Sequence, residues 1–263
     1  MYAFNYQKPS TSAAAIAAAK GEAKYLAGGQ SLVQAMKLRL AQPGTLVDLN
    51  GVAELKGITV AGRKVIIGAM ARHSEVARSA EVRRAIPALA ELAGGIGDAM
   101  VRNQGTLGGS LANADPAACY PSAVLALGAT VRANQRVIAG DGFFTGLFET
   151  ALAPGELITS VEFPTPERAA YVKMKQPASR FALVGVFVAK FGASVRVGVT
   201  GAKSHAFRCA ELESALSANF TPAAASAVKL SSAGMNSDLH ASAEYRAAMV
   251  VEMTARAVAK ALG

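Results

Sequence analysis

Tyr25-Leu26-Ala27-Gly28-Gly29-Gln30-Ser31-Leu32 is the stretch on which the fold turns. Lys24 to Ala27 reads as a short strand that delivers the chain to a glycine pair, and a helix begins at about Ser31. Glycine permits positive φ and lets a ligand come close to the backbone. A helix start adds unpaired N–H groups and the positive end of the helix dipole. Together these suit a pyrophosphate, although an ordinary tight turn with Ser31 as helix cap has the same outward form. Upstream, Ser12 to Lys20 reads as a helix opened by Ser10, Thr11 or Ser12. Downstream, Leu32, Ala35, Met36 and Leu40 share one helical face over Ser31 to Ala41; Pro43-Gly44 ends that helix, and Leu46 to Leu49 is a second strand. The whole is a compact β–loop–α–β unit.

A second glycine-rich passage lies at Arg102-Asn103-Gln104-Gly105-Thr106-Leu107-Gly108-Gly109-Ser110-Leu111-Ala112-Asn113-Ala114-Asp115-Pro116. It again joins a glycine pair to small hydroxyl residues, with a basic residue just upstream. Backbone amides in such a loop can line an anion-binding concavity. Two such loops on one chain are suited to clamp a diphosphate from both sides.

Between and beyond these passages the pattern alternates. Ile58 to Val60 and Lys64 to Ile67 look like paired strands across Ala61-Gly62-Arg63. Ser74 to Leu92 reads as two helices broken at Pro87, and Gly94 to Gly109 shows little regular pattern. Pro121 to Leu127 reads as helix, Thr130 to Ala133, Arg136 to Ile138 and Leu157 to Phe163 as strands. Thr165-Pro166-Glu167 is the candidate boundary. Beyond it, Ala182 to Lys190 and Ser194 to Thr200 form a hairpin across Gly192-Ala193. Helices follow near Ala210–Ala218, Pro222–Leu230 and Ala243–Leu262.

Composition narrows the function. Hydrophobic residues make up 52% of the 263 and charged residues 17%, so a sizeable core is expected and disorder is not. Lys and Arg number 27 against 18 Asp and Glu, a net charge of +9. The cations are scattered (Lys37, Arg39, Arg63, Lys64, Arg83, Arg84, Arg132, Arg136) with no long run, and Trp is absent, so nucleic-acid binding is disfavoured. A basic surface meeting phosphates or a partner fits better. Cys119 and Cys209 are too few for a disulfide framework or a four-cysteine metal site, so any iron–sulfur centre belongs to another chain. Met1 to Ser10 lacks the form of a signal peptide, and Ala13 to Ala19 is too short for a membrane span; the expectation is a cytoplasmic protein.

Competing motifs fail on spacing. Neither glycine passage contains G-x-G-x-x-G, no P-loop occurs, and Gly29-Gln30-Ser31-Leu32-Val33 is not G-x-S-x-G. His73, His205 and His240 lie far apart and read as surface or packing residues.

At this point the residues resemble a family. Ala27-Gly28-Gly29-Gln30-Ser31 and Thr106-Leu107-Gly108-Gly109 are similar to the two FAD-pyrophosphate loops of the flavin-binding (medium) subunit of the carbon monoxide dehydrogenase and xanthine dehydrogenase family of molybdenum hydroxylases. Phe4-Asn5-Tyr6, Leu46-Val47-Asp48-Leu49, Val65-Ile66-Ile67-Gly68-Ala69, Pro154-Gly155-Glu156-Leu157-Ile158 and Ser242-Ala243-Glu244-Tyr245-Arg246 extend the likeness over the whole chain.

The resemblance implies an α+β fold. A two-lobed FAD domain of the vanillyl-alcohol-oxidase (PCMH) type would span 1–165, with lobes of about 1–55 and 56–165. A C-terminal domain of 168–263 would carry a three-stranded antiparallel sheet and helices. It further implies that Ala27, Gly28, Gly29, Gln30, Ser31 and Leu32, with Thr106, Gly108, Gly109 and Ser110, hold the pyrophosphate. Asp115 would accept hydrogen bonds from the cofactor's hydroxyls, Leu157 and Ile158 would lie against the isoalloxazine, and Lys173 would face its polar edge.

Three positions depart from the family. Gln30 stands where His is frequent, Phe181 where some relatives have Tyr, and Cys119 where Asp is common. The last puts one ribityl contact of Cys119 in question, with Tyr120 a candidate replacement.

The implied function is electron transfer within a heterotrimer, itself paired as a dimer. A large subunit with molybdopterin would hydroxylate the substrate, a small iron–sulfur subunit with [2Fe–2S] clusters would relay electrons, and FAD on this chain would pass them to NAD, a quinone, oxygen or another acceptor. No catalytic acid, base or metal ligand is assigned to this chain. The alternatives are a self-sufficient flavin reductase or oxidase of the same superfamily, and a non-catalytic module binding a nucleotide or an acidic partner.

Overall fold

The structure is a computed structural model that describes residues 1–263. Strand β1 (Asn5–Gln7), helix α1 (Ser12–Ala18), β2 (Ala23–Leu26), α2 (Leu32–Lys37) and β3 (Thr45–Asp48) form the first unit. Its sheet is parallel in the order β1-β3-β2, with Leu26 opposite Asp48 and Gln7 opposite Val47. Parallel strands need crossovers, and the short helices supply them. Thr11 opens α1, its Oγ1 accepting from the Ala14 amide at 3.2 Å. Ala15, Val47, Leu49, Val52, Leu55, Met70 and Leu157 close a small core behind this sheet. The expected β–loop–α–β unit is present, with β1 added at its edge.

Next come β4 (Ile58–Ala61), β5 (Lys64–Gly68) and a run of short helices, α3 (His73–Arg78), α4 (Ala80–Ala85), α5 (Pro87–Gly94), α6 (Ala99–Gln104), α7 (Leu107–Asn113) and α8 (Tyr120–Ala126). Strands β6 (Thr130–Ala133), β7 (Val137–Ala139), β8 (Phe144–Gly146), β9 (Glu149–Thr150) and β10 (Ile158–Pro164) follow. A five-stranded antiparallel sheet runs β4-β5-β10-β6-β7, and a core of 34 buried residues fills the space between it and the helices.

Two expectations need correction here. The region 73–94 holds three helices, because Ser79 breaks it as well as Pro87; the Ser79 hydroxyl accepts from Val82 N and so starts a new helix. The supposedly patternless Gly94–Gly109 contains α6, capped by Asp98 through Val101 N, and the start of α7, capped by Thr106.

The last unit is built from β11 (Arg168–Lys175), β12 (Ala182–Phe191), β13 (Ser194–Thr200), β14 (Phe207–Arg208), α9 (Ala210–Ala218), α10 (Pro222–Ser226) and α11 (Ala243–Leu262). Its antiparallel sheet has four strands rather than the three expected, since the two residues of β14 pair with Gly198 and Val199 at the edge. Helix α10 also stops at Ser226, short of the Leu230 expected. Ala247, Val250, Met253, Ala257 and Val258 recur at helical spacing on α11 and bury one face against the sheet. The sheet meets α8 closely: a Cβ on Gly198 would lie 2.1 Å from the Ser122 carbonyl oxygen. Thr200 Oγ1 donates to the carbonyls of Pro116 and Ala118 at 2.6 and 2.7 Å, and Gly201 N to Pro116 at 2.7 Å.

Candidate functional site

The first glycine bend follows β2 directly. Gly29 has φ +69°, a conformation that side chains resist, and it turns the chain into α2. The N–H groups of Gly28, Gly29, Gln30, Ser31 and Leu32 have no acceptor anywhere in the chain. Ser31 precedes α2 at its N-cap position but is in the helical region (φ −107°, ψ −53°), and its side chain makes no capping bond, unlike the capped tight turn that is the alternative reading. Gln30 and Ser31 are exposed, and Ala27 to Gly29 and Leu32 are half-buried. The bend is therefore a row of open donors at the surface, propped from below where Asn50 Nδ2 reaches the Ala27 carbonyl at 3.5 Å and Asp48 Oδ1 at 2.8 Å.

The second bend is wired differently. Leu107 N donates to Ala71 O at 3.0 Å, Gly108 N to Ala69 O at 2.8 Å, Gly109 N to Thr106 Oγ1 at 3.1 Å and Ser110 N to Thr106 O at 3.0 Å. The amides expected to line a second concavity are thus engaged within the protein. What this bend offers is close approach. A Cβ on Gly108 would sit 2.6 Å from Ala69 Cβ, and one on Gly109 would sit 3.4 Å from Ala27 Cβ.

These bends, far apart in sequence, touch. A Cβ on Gly28 would lie 2.1 Å from Gln104 O, 2.7 Å from Gln104 C and 2.8 Å from Gly105 Cα. A third segment joins them: Tyr25 Oη donates to Gly155 O at 2.9 Å, and Ala69, which accepts from Gly108, donates to Thr159 O at 2.9 Å. Leu157 and Ile158 therefore lie between the two bends in the chain's bonding, yet each is only 4% exposed. Their side chains belong to the protein's own cores, and Leu157 N is taken by Asn134 Oδ1 at 2.8 Å.

Behind the second bend lies a polar cluster. The His73 ring is within 2.5 Å of where a Gly105 Cβ would be, which leaves no room there for a side chain, and its centroid is 5.3 Å from that of Tyr120. Burial, then the charge of Arg102, lowers the imidazole to a pKa of about 4. Its Nδ1 and the hydroxyls of Tyr120 and Tyr171 are buried without partners. Burial raises both phenols, the nearby Cys119 adding to the effect.

Cys119 is buried, and Lys173 Nζ donates to its Sγ at 3.3 Å and to Gly95 O at 2.9 Å. Asp115 is half-buried just past α7; its Oδ1 accepts from Ala117 N at 2.8 Å, and burial pushes its carboxyl above the ordinary range. Contacts thus run from the first bend to the second, from Gly105 through His73 to Tyr120, and from the adjoining Cys119 to Lys173, with Asp115 on the segment between α7 and Cys119.

A row of open amides held against a second glycine-rich bend suits a pyrophosphate, and comparison with known proteins points to a flavin dinucleotide. Residues 2–166 match the FAD binding domain in molybdopterin dehydrogenase. The carbon monoxide dehydrogenase medium chain of Hydrogenophaga pseudoflava is 34% identical, over 97% of this chain and 96% of that one. The nicotine 6-hydroxylase medium subunit of Paenarthrobacter nicotinovorans is 35% identical, over 91% and 90%.

The chain belongs to the molybdopterin-dehydrogenase FAD-binding family.

Two solved structures carry the likeness over the complete fold. Carbon monoxide dehydrogenase from Hydrogenophaga pseudoflava lacking the Mo-pyranopterin moiety superposes with a TM-score of 0.86 at 33% identity, over 98% of this chain and 97% of that one. Quinoline 2-oxidoreductase from Pseudomonas putida 86 gives 0.88 at 28% identity, over 99% and 97%. As a member of the family, the chain is an FAD-binding oxidoreductase subunit. The residues present fit that cofactor: five consecutive amides at a surface bend have no acceptor within the chain, and Gly28 lets the backbone of Gln104 and Gly105 pack directly against that bend. No helix is long and apolar enough to cross a membrane.

Arg102, noted in the sequence only as a basic residue upstream of the second bend, bears by its charge on His73. Its Nη1 donates to the carbonyls of Ile96 and Gly97 at 3.0 and 2.9 Å and ties the approach to α6 into the cluster. Its place just upstream of the second glycine bend was the available signal.

Proposed function

We propose that the chain is the FAD-carrying electron-transfer subunit of a heteromeric molybdenum hydroxylase. It takes electrons from [2Fe–2S] clusters on a small partner subunit, downstream of a large molybdopterin subunit, in a dimer of heterotrimers. The external acceptor is NAD, a quinone, oxygen or a similar oxidant. The reading draws support from relatives named as medium subunits or as parts of dehydrogenase complexes. The observation that carries it is the contact of Gly28 with Gln104 and Gly105, beside a row of amides with nothing else to bind.

In this reading the amides of Gly28 to Leu32 hold the pyrophosphate, with Ala27 as the end of the strand that presents them. Thr106, Gly108, Gly109 and Ser110 form the opposite wall, where the missing Cβ atoms and the Ser110 hydroxyl matter more than the engaged amides. Asp115 has a carboxylate oxygen to spare for the cofactor's hydroxyls, since only Oδ1 is taken by Ala117. Leu157 and Ile158 back the ring's site from the sheet side, and Lys173 and Cys119 meet its polar edge. Bound FAD supplies the redox chemistry, accepting single electrons and releasing a pair. The chain's own residues bind it, orient it and shield it from water; none is required to move a proton on the organic substrate.

We also infer the two-lobed vanillyl-alcohol-oxidase arrangement, with lobes of 1–55 and 56–165 and a C-terminal domain of 168–263. The three main sheets occupy 5–48, 58–164 and 168–208 in turn, which supports that division.

The test is the purified complex. Flavin absorbance at about 450 nm is expected, bleaching on addition of the organic substrate only while the cluster-bearing partner is present. An intact complex that releases no fluorescent flavin on denaturation sinks the proposal. Bleaching of the isolated chain by substrate would instead make it a self-sufficient flavin enzyme.

A further inference from the structure

Each open amide from Gly28 to Leu32 belongs to a planar trans peptide whose carbonyl points the opposite way. Whatever holds the carbonyl of one residue therefore aims the N–H of the next. Main-chain donors do this twice at the bend. Val33 N donates to Gly29 O at 3.1 Å and Ala35 N to Ser31 O at 3.0 Å, which aims the amides of Gln30 and Leu32. No main-chain donor reaches the Ala27 carbonyl, which shares its peptide with the Gly28 amide. Its donor is a side chain, Asn50 Nδ2, at 3.5 Å.

Asn50 is exposed, and one contact of that length would hold little by itself. It is pinned at three other points. Its backbone N and its Nδ2 donate to Asp48 Oδ1 at 2.9 and 2.8 Å, and its carbonyl accepts from Lys56 Nζ at 2.7 Å. Asp48 ends β3 opposite Leu26, the residue before Ala27, and caps the 3-10 turn Leu49–Gly51 that brings Asn50 to the bend. The Tyr6 hydroxyl, on β1, donates to its other oxygen. Burial pushes the Asp48 carboxyl up, but the hydrogen bonds from Tyr6 and Asn50 outweigh it and hold the group below its ordinary range. An ionised carboxylate only accepts. The Asn50 side chain must therefore turn its NH2 end inward, which leaves the second hydrogen of that group for the Ala27 carbonyl.

We propose that Asp48 and Asn50 are a positioning pair for the cofactor's diphosphate: Asp48 sets which way the Asn50 amide faces, and Asn50, by holding the Ala27 carbonyl, aims the Gly28 N–H at the ligand. The inference rests on the FAD reading above and adds to it two residues that act through the peptide joining Ala27 to Gly28.

The readout is the set of amide resonances at the bend in the nitrogen-15-labelled full chain, freed of flavin and titrated with FAD. In the wild type, FAD is expected to move those of Gly28, Gln30 and Leu32. Asn50→Ala and Asp48→Ala should each cut the movement at Gly28 by at least about half and weaken FAD binding about fivefold, the worth of one hydrogen bond. Gln30 and Leu32, whose peptides are held by main-chain donors, should move as before. The double variant should bind no more weakly than Asn50→Ala, because Asp48 acts through Asn50. The proposal is overturned if Gly28 moves as in the wild type once Asn50 is replaced. It is also overturned if all three movements shrink together, since Asn50 would then prop the whole bend rather than aim one amide. Should Asp48→Ala fail to fold, Asn50→Ala decides alone. A wild-type chain that takes up FAD with Gly28 unmoved overturns the proposal as well, whereas one that takes up no FAD overturns the FAD reading itself, and this inference with it.

Discussion

The bends at Ala27–Ser31 and Thr106–Ser110 are made of the same residue types, a glycine pair with a small hydroxyl neighbour. Their backbones are used in opposite ways. At the first, five successive amides from Gly28 to Leu32 are open. At the second, four successive amides from Leu107 to Ser110 are consumed by Ala71, Ala69 and Thr106. Composition alone does not distinguish a cradle from a wall; what separates them is where each amide finds its acceptor. The first bend leaves its amides free for a ligand, whereas the second spends its own within the protein and packs against the first.

The contrast breaks most sharply at Gly28. An alanine there would place Cβ 2.1 Å from Gln104 O, with only backbone as its neighbour, so no side chain can swing aside. Gly28→Ala should force the bends apart and weaken flavin retention at least about 100-fold, roughly 3 kcal/mol. The flavin-to-protein ratio of the purified complex measures it, and a wild-type ratio would show that the contact does not hold the cradle.

A second effect, of comparable size, tests the wall. The His73 imidazole, packed beneath Gly105, has its pKa depressed to about 4. Its contribution to stability is therefore present above the unfolded value of about 6.5 and is lost as pH falls toward 4, because the unfolded chain takes up the proton first. The loss attributable to this one group is about 3 kcal/mol. Denaturant titrations between pH 7 and pH 4 should be steeper in pH for the wild type than for His73→Asn, and equal slopes would remove His73 from the account.

The smallest effect sharpens the distinction itself. Thr106→Ala removes the acceptor of Gly109 N and should cost about 1 kcal/mol of stability with little change in flavin affinity. A large loss of affinity at unchanged stability would mean that the second bend binds through its amides after all.

Much of the first unit was legible because strand, glycine pair and apolar helix face follow one another without interruption over Ala23–Met36. Strand β1 was not, since all three of its residues are exposed and no alternation marks it. Helices α6 and α7 hid because α7 opens on Leu-Gly-Gly-Ser, a run of low helix propensity, and short helices depend on their caps. Asp98 and Thr106, each three residues ahead of the amide it accepts from, were the readable signs. The two-residue β14 is too short for any period to show.

Within the site, Gly28 and Gly29 announced themselves by type. The state of the amides in the second bend could not be read, because their acceptors at Ala69 and Ala71 are backbone atoms distant in sequence. The Lys173–Cys119 contact was hidden for a related reason, being a pairing across two elements that no local spacing encodes.

Thr200 and Gly201 grip the carbonyls of Pro116 and Ala118, in the segment running from Asp115 to Cys119. Grafting the last sheet and helices from one relative onto the front of another would therefore exchange part of the seat proposed for the cofactor, even though a seam at Thr165–Glu167 cuts no strand. Chimaeras joined there should inherit their flavin's grip from both parents.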